Sequence, residues 1–392
     1  MNLYFDNSST SFPKPQNVID SINNFSINIG ASPSRGYYDL SIKSSKILFE
    51  CRELLCDFFK FDSPENIVFS YNATYAFNIL LQSIVNSNIF NDIPHFLVSN
   101  LDHNCTLRPL INLKNKNKIT LDIISCDQNM FLNFNELYCK ITSKTKFIVI
   151  SHMSNVLGNI QNIEKLSDIC KKLKIFLILD IAQSAGLVNI DLTKIYFSAL
   201  IFTGHKNLFS TSGIGGFIIS NELLNVCDNY FLGGTGSSSS SLLSKSDMPD
   251  YFEIGTHNMI GIYSLLNGVK FINTCGLNFI YDKKKEVVKN IYDQLSNIND
   301  IIIINNVLLK HQNSNLCINF KNLSPDVAAH MLNKYYGICV RSGLHCSPNT
   351  HKIINTYPLG CIRISPSIFN DVKDVNYLVS SIKKICNVSR RT

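Results

Sequence analysis

The sequence predicts an α/β protein with a large, mostly parallel sheet and a smaller α+β unit. Short apolar runs alternate with stretches of helical periodicity between residues 41 and 219. Several runs end in a polar side chain, as buried parallel strands do where they reach the carboxyl edge of a sheet. With 392 residues and 45% hydrophobic composition, the chain is long enough to bury a large core.

The predicted elements follow the order that a parallel sheet requires, with helices between strands. A helix is predicted over 41–59, a strand over 67–70 and a second helix over 73–85, because the apolar periodicity changes from helical to extended and back. A further helix is predicted over 163–172. The remaining strands are predicted at 96–99, 121–124, 147–150, 175–180, 197–202 and 216–219.

Beyond residue 219 the pattern changes. The low-complexity segment from Gly233 to Ser241 predicts an exposed or partner-contacting loop, with simple disorder as the alternative. A helix from about residue 260 leads into an α+β unit, which the first residues of the chain join. We therefore predict a large domain over 14–257 and a small α+β domain over 1–13 and 258–392.

Composition and charge exclude several classes of function. The N-terminal residues lack the basic and apolar regions of a signal peptide, and no stretch reaches the length of a membrane span, so we expect a cytoplasmic protein without a membrane partner. Thirteen cysteines without a CxxC motif indicate reduced thiols and not a disulfide framework. The net charge is +7, but the basic residues are scattered, which argues against nucleic-acid binding. No metal site is predicted.

Two apolar runs end in side chains that suit one cofactor. Residues 175–180 end in Asp180, and the run from Phe202 leads into Lys206. An isolated pair of this kind is more often a buried ion pair or a surface lysine. However, pyridoxal 5'-phosphate (PLP) needs a lysine amine for a Schiff base and a carboxylate that keeps the pyridine nitrogen protonated. The pair therefore suggests a PLP enzyme.

Other strand ends supply groups that fit the same cofactor. Ala73 and Thr74 stand where a strand turns into a helix, and such a helix end binds phosphate. His103 follows another strand and could stack on a pyridine ring, although a lone histidine is more often structural. Asn155 and Gln183 follow two further strands. Thr203 and His205, which flank the lysine segment, complete the predicted phosphate contacts.

These segments resemble one family over nearly the whole chain: PLP enzymes of the class V aminotransferase fold, in the branch of group II cysteine desulfurases and selenocysteine lyases. The resemblance is carried by Phe5-Asp6-Asn7-Ser8-Ser9-Thr10, Asn72-Ala73-Thr74, Asp102-His103-Asn104, Ser154-Asn155-Val156-Leu157-Gly158, Asp180-Ile181-Ala182-Gln183-Ser184-Ala185-Gly186, Thr203-Gly204-His205-Lys206, Glu253-Ile254-Gly255-Thr256, Arg341-Ser342-Gly343-Leu344-His345-Cys346 and the Arg363 neighbourhood. It implies PLP-dependent transferase fold type I, with a seven-stranded, mostly parallel sheet in the large domain.

The resemblance also implies a role for each residue. Lys206 would be the Schiff-base lysine, Asp180 the pyridinium partner and His103 the stacking group. The ring oxygen would be bound by Asn155 and Gln183. The phosphate would be held by Ala73, Thr74, Thr203 and His205, and by Thr256 from the second subunit of a homodimer.

Cys346 and Arg363 point to the substrate. Family desulfurases use a cysteine thiolate to take sulfur from PLP-bound L-cysteine, which leaves an enzyme persulfide and L-alanine. Cys346 stands at that position, and Arg341 or a protonated His345 would favour its thiolate form. Arg363 matches the arginine that clamps the substrate carboxylate, with Asn155 as a second substrate contact. The small domain is thus expected to carry the catalytic cysteine.

Three departures from the family pattern leave alternatives open. Tyr38 replaces a histidine near the active site, Tyr75 replaces a glutamate after the Ala-Thr pair, and Asp102 conservatively replaces a glutamate. The alternatives are selenocysteine lyase, C–S lyase or aminotransferase chemistry on a related amino acid, and a non-catalytic scaffold. A sulfur-acceptor protein is the expected partner of a desulfurase.

Overall fold

The computed structural model describes residues 3–33, 36–87, 89–90, 92–235, 247–304 and 314–389. Arg35 and the Ser-rich part of the predicted loop, 236–241, lie outside the described residues. Among the described helices, none combines the length and apolar character that crossing a bilayer requires. The described residues form three sheets, of seven, four and two strands.

The seven-stranded sheet forms the centre of the molecule. Its strands are β2 (Ile67–Ser70), β3 (His95–Ser99), β4 (Thr120–Ile124), β5 (Thr145–Ser151), β6 (Phe176–Asp180), β7 (Ala199–Thr203) and β8 (Gly215–Ile219), after the short β1 (Leu3–Tyr4). Their order across the sheet is β2-β8-β7-β6-β5-β3-β4, and only β8 runs antiparallel to its neighbours. The predicted seven-stranded, mostly parallel sheet is confirmed.

Helices cover both faces of this sheet. They are α1 (Gln16–Asn24), α2 (Asp39–Phe59), α3 (Ala73–Val85), α4 (Asn104–Asn115), α5 (Phe134–Lys140), α6 (Ile163–Leu173), α7 (Asn221–Leu224) and α8 (Met259–Cys275). Two apolar clusters separate them from the sheet, one around Leu55 and Leu179 and the other around Phe96 and Phe217. Because both faces of the sheet are buried, its strands are continuous apolar runs in the sequence. All seven predicted strands lie in this sheet.

The C-terminal part of the chain builds a second layer. Its elements are α9 (Leu277–Leu295), β9 (Ile301–Ile304), β10 (Leu316–Phe320), α10 (Pro325–Tyr336), β11 (Ile338–Cys339), β12 (Arg341–Gly343), α11 (Pro348–Ile353), β13 (Cys361–Ile364) and α12 (Val372–Ser389). Four of the strands form an antiparallel sheet in the order β12-β13-β10-β9, and β1 pairs with β11. The N-terminal strand thus joins the C-terminal layer, as the sequence suggested.

Helix α8 links the two layers. Its residues Leu265, Val269 and Ile272 are buried in the core cluster of the large sheet, although the predicted domain division assigns them to the small domain. Helix α9 follows at once and contributes Val288 and Ile291 to the separate core of the four-stranded sheet. The domain boundary at 257/258 stays a prediction.

Candidate active site

A cavity of about 540 Å³ lies at the carboxyl edge of the large sheet. Strands β5, β6 and β7 end there in Ser151, Asp180 and Thr203, and α3 and α4 begin beside them. The opposite wall comes from the segment after β12 and from β13. Parallel strands of an α/β sheet bring their last residues to one edge, so this position is where such folds bind ligands. Eleven of the twelve predicted site residues line this cavity: Ala73, Thr74, His103, Asn155, Asp180, Gln183, Thr203, His205, Lys206, Cys346 and Arg363.

Lys206 and Asp180 face the same cavity from neighbouring strands. Burial lowers the pKa of Lys206, and the charge of Asp180 opposes that shift. A lowered pKa increases the fraction of neutral amine, the form that attacks a carbonyl carbon. Asp180 Oδ1 accepts from the backbone N–H of Ala182 at 2.9 Å, and Oδ2 lies 3.5 Å from Cys105 Sγ. One carboxylate oxygen is thereby fixed to the backbone while the carboxylate borders the cavity.

The residues around the start of α3 provide an anion site. Asn72 caps this 13-residue helix by accepting from Tyr75 N–H at 3.0 Å, and Ala73 and Thr74 form its first turn. Buried Thr203 Oγ1 and His205 Nδ1 have no hydrogen-bond partner within the described part of the chain. Because buried polar groups normally have partners, these atoms fit an anionic ligand such as the phosphate of PLP.

His103 and Asp102 are held rigidly at the end of β3. His103 Nδ1 accepts from Cys105 N–H at 3.0 Å, so the imidazole caps α4. Burial, reinforced by the charge of Lys206, lowers the pKa of His103 to about 4, and the ring is neutral at pH 7. The Asp102 carboxylate accepts from the N–H groups of Ser99 and Ser151, each at 2.6 Å, and so joins β3 to β5. Asp102, which replaces a glutamate of the family pattern, thus has a structural role in joining these two strands.

Asn155 connects the cavity to the loop of Cys346. Its Nδ2 donates to His345 C=O at 2.6 Å, and its Oδ1 accepts from Ser347 Oγ at 2.8 Å. Gln183 is fixed differently: its Nε2 donates to Ser8 C=O at 2.9 Å. Both amides line the cavity as predicted, but each already holds another segment of the chain.

The Cys346 loop has an unusual backbone. His345 and Cys346 both have positive φ values, 47° and 58°, in the left-handed region that non-glycine residues rarely adopt. Cys346 C=O accepts from Asn104 N–H at 2.8 Å, and the side chain is exposed at the cavity wall. His345 is buried, and burial together with the charge of Arg363 lowers its pKa well below the ordinary value. Burial thus opposes the protonated His345 that the sequence suggested, and Arg341, the other positive group expected there, also lines the cavity.

Arg363 is buried and already paired. Its Nη2 donates to Asp6 Oδ1 at 2.9 Å and to Ser9 Oγ at 2.7 Å, and its Nη1 donates to Asn155 C=O at 2.8 Å. Nε is buried without a partner among the described residues. The guanidinium therefore lies at the cavity with its Nε–H still to be satisfied. Asp6 also accepts from Arg341 Nε at 3.0 Å, so one carboxylate orients both arginines.

Thr256 is the predicted site residue that the structure does not place in the cavity. It lines a hollow with Tyr38 and Ser32 and a second hollow with Tyr75 and Gly213, two residues that also line the Lys206 cavity. The segment before it is anchored by Glu253, whose carboxylate pairs with Arg52 at 2.6 Å and with His257 Nε2 at 2.7 Å. Within one chain, Thr256 and Tyr38 do not reach the Lys206 cavity.

Sequence reasoning missed several groups in and around the site. Cys105 lines the cavity and contacts Asp180, but a thiol two residues after His103 carries no sequence signal for this role. Lys284 is buried in α9, where burial lowers its pKa to about 8. Its Nζ donates to Asn207 Oδ1 at 3.0 Å, and Asn207 Nδ2 donates to Gln183 C=O at 2.5 Å. This chain of contacts crosses from the second layer to the cavity, and only the tertiary fold reveals it.

Comparison with known proteins identifies the family. The model of the family described as aminotransferase class-V matches residues 3–378. The chain belongs to the class-V aminotransferase family. A class-V relative from Borreliella burgdorferi, described as a probable cysteine desulfurase, is 31% identical over 390 residues, which cover 98% of this chain and 91% of the relative. A relative with the same description from Pyrococcus abyssi is 27% identical and covers 98% of this chain and 94% of its own length.

A solved structure agrees with the family at the level of the fold. The apo structure of cysteine desulfurase from Thermococcus onnurineus NA1 superposes with a TM-score of 0.91 and 27% identity, over 98% of this chain and 95% of that one. The predicted membership of the class V fold is confirmed.

Proposed function

We propose that the chain is a PLP-dependent cysteine desulfurase that transfers sulfur from L-cysteine to Cys346. The observation that carries the proposal is that Lys206, Asp180 and Cys346 face one cavity from three separate segments of the fold. The relatives described as cysteine desulfurases support it, because they match nearly the whole length of the chain.

The donor set of the cavity fits PLP. Thr203 Oγ1 and His205 Nδ1, the buried atoms without protein partners, together with the first turn of α3, would hold the phosphate. Asp180 would face the pyridine nitrogen, and Asn155 and Gln183 the ring oxygen. When bound, PLP supplies an electron sink for bonds at the α- and β-carbons of an amino acid.

The protein's own groups then set up the sulfur transfer. Lys206, whose pKa burial lowers, would bind the cofactor through its neutral amine and would later move a proton. Cys346 Sγ, as a thiolate, attacks the sulfur of L-cysteine; a new S–S bond forms while the Cβ–S bond breaks. The substrate carbon keeps the electron pair and takes up a proton, so the products are L-alanine and the Cys346 persulfide. Arg341 lines the same cavity, with its Nε donating to Asp6 Oδ2 at 3.0 Å.

Arg363 would bind the substrate carboxylate. Its guanidinium is buried at the cavity, held in orientation by Asp6 and Asn155, and its Nε lacks a partner among the described residues. A carboxylate that reaches this edge gains a charge-assisted hydrogen bond in a water-poor site. Asn155 lies on the same wall and completes the substrate contacts.

A homodimer with shared active sites is part of the proposal. Thr256 lies outside the cavity of its own chain, on an edge that also carries exposed Tyr38. A twofold dimer that placed this edge over the partner's cavity would add Thr256 to the partner's phosphate site, and one symmetry operation would complete both sites.

We further propose a cytoplasmic enzyme that passes its persulfide to a sulfur-acceptor protein. The thirteen cysteines are all free thiols in the structure, which supports a reducing location.

Product analysis tests the proposed reaction. The PLP-loaded protein is incubated with L-cysteine and a thiol reductant, and alanine, sulfide and pyruvate are quantified. A desulfurase yields alanine and sulfide in equal amounts, whereas a C–S lyase yields pyruvate and ammonia. Pyruvate as the main product, or equal alanine release by Cys346→Ala, contradicts the proposal.

A further inference from the structure

A cluster of histidine and cysteine side chains lies beside the Cys346 loop, and one of its members, His345, also lines the cavity. His345, His351 and Cys361 are all buried, and each offers one ligand atom such that all three atoms lie within 4.8 Å of one another. They come from three elements: the loop after β12, helix α11 and the start of β13. The sulfur-transfer chemistry uses none of these side chains.

The distances match those between ligands of one metal ion. His345 Nε2 lies 3.5 Å from Cys361 Sγ. Two ligands of a tetrahedral zinc ion, with Zn–N of about 2.0 Å and Zn–S of about 2.3 Å, are roughly 3.5 Å apart. The rings of His345 and His351 have centroids 5.4 Å apart and are tilted by 44°, so the two imidazoles do not stack face to face.

The polar atoms of the cluster are not satisfied by protein groups alone. His351 Nε2 is buried and has no hydrogen-bond partner among the described residues, so it is open to a ligand. His345 Nε2 contacts Cys361 C=O at 3.1 Å and would exchange that contact for the ion. His351 Nδ1 contacts Thr356 Oγ1 at 2.7 Å, which leaves Nε2 available as a metal ligand. A hydrogen bond to the other ring nitrogen is usual for metal-binding histidines, because it fixes the orientation of the imidazole.

The three donors leave the fourth position of a tetrahedral ion to a small ligand such as water. Cys317, on β10, is buried too, but it does not belong to the cluster, and its Sγ donates to Val156 C=O at 3.2 Å. Nitrogen and sulfur donors select zinc or a similar transition metal and not calcium or magnesium.

We propose that His345, His351 and Cys361 form a site for a zinc-like transition-metal ion. The ion would tie the loop that carries Cys346 to β13, the strand that carries Arg363. It would thereby hold the left-handed backbone of His345 and Cys346 in place. The centre is buried, so metal enters during folding or when the loop opens.

The proposal is tested first by metal content. The protein is produced in zinc-supplemented culture, purified with PLP, and measured by elemental analysis; about one zinc ion per chain is expected. His351→Gln and Cys361→Ser should lose the ion. Cys346→Ser and Cys386→Ser, which change a cavity thiol and a buried thiol elsewhere, should keep it. Loss of metal in Cys346→Ser but not in Cys361→Ser would assign the ion to the cavity and overturn the proposal.

A spectroscopic measurement on the wild-type protein tests the site without relying on variants, which could fail to fold. Protein produced with Co²⁺ in place of zinc should show visible bands of tetrahedral cobalt and thiolate-to-cobalt charge transfer. Thr356→Val, which removes the partner of His351 Nδ1, should keep the fold and weaken metal retention roughly 10- to 100-fold. Wild-type protein that contains only background metal from both cultures, and shows no thiolate–cobalt band, refutes the site.

Discussion

The two walls of the cavity are built in different ways. The wall that carries Lys206, Asp180 and Thr203 consists of the last residues of parallel strands whose side chains are buried in the sheet. The wall that carries Cys346 is a loop with two consecutive left-handed residues, held to the sheet mainly by hydrogen bonds from Asn155 and Asn104. Binding a cofactor requires the fixed geometry of the first wall. Sulfur transfer to another molecule requires the exposed thiol of the second.

This difference implies that cofactor binding and sulfur transfer can be separated by mutation. Changes in the sheet wall should affect the cofactor, whereas changes in the loop wall should leave the cofactor in place and affect only the later chemistry. Four experiments examine this separation, in order of decreasing effect.

The largest effect is expected from Lys206→Ala. Removal of the amine abolishes covalent attachment of PLP, and desulfurase turnover should fall by about 10⁴-fold or more. The visible absorption band of the lysine-bound cofactor should disappear as well. Absorption spectra and alanine assays on the purified variant check both losses. Lys14→Ala, which removes a nearby lysine that contacts His205 C=O, serves as the control and should keep the band.

Cys346→Ala should separate cofactor binding from sulfur transfer most clearly. We expect alanine release to fall by about 10²- to 10³-fold while the cofactor band remains as in wild type, because burial raises the pKa of Cys105, the other described thiol at the cavity, well above its ordinary value. Mass spectrometry of the protein after incubation with L-cysteine should detect the added sulfur in wild type but not in the variant. Cys339→Ser is a matched control, since Cys339 lies on neighbouring β11, outside the cavity. Loss of the cofactor band in Cys346→Ala would show that the walls are not independent.

The stability of the sheet wall should depend on pH through buried histidines. Burial lowers the pKa of His152 to about 4, below its ordinary value near 6.5. The unfolded chain therefore binds the proton first as the pH falls, so stability is lost between pH 6.5 and about 4. His152 accounts for at most about 3 kcal/mol of this loss.

Urea unfolding at pH 7.5 and 4.5 measures this effect. His152→Gln, which retains a polar side chain beside Ser184, should show a smaller loss of unfolding free energy between the two pH values than wild type. An equal loss in both proteins would mean that the imidazole of His152 does not contribute to the acid sensitivity of the sheet.

The smallest effect concerns the hydrogen bonds that hold the loop wall. Ser347→Ala removes the donor to Asn155 Oδ1, a bond worth about 1 kcal/mol, and should lower turnover by roughly 5-fold with the cofactor band unchanged. Asn155→Ala removes both loop contacts and a predicted cofactor contact, so it should affect turnover and PLP affinity together. Titration of each apoprotein with PLP, alongside alanine assays, distinguishes the two patterns.

Much of the sheet wall was predictable from the sequence. All seven strands were predicted because a parallel sheet buried on both faces gives continuous apolar runs in the sequence. The last residue of each run marks the carboxyl end of its strand. Lys206, Asp180 and Thr203 stand at such ends, so local sequence and the known geometry of parallel sheets were enough to predict a shared site. The start of α3 at Ala73 was likewise predictable from the sequence, because the capping residue Asn72 and the apolar periodicity of the helix are local features.

The loop wall and the groups behind it were not predictable in the same way. Asn155 binds the backbone of His345, nearly two hundred positions away, and Arg363 pairs with Asp6 across the chain. The neutral state of His345 follows from its burial against β13, which its neighbours in the sequence do not reveal.

The sequence by itself determined the fold class, the family and the residues able to carry the chemistry, because periodicity and strand ends are properties of neighbouring residues. Tertiary structure decided which polar groups are already paired and which remain open to a ligand. It also brought His345, His351 and Cys361 together, and it left Thr256 outside the cavity of its own chain. Those outcomes depend on contacts between distant segments, whose distances and burial arise only when the layers pack.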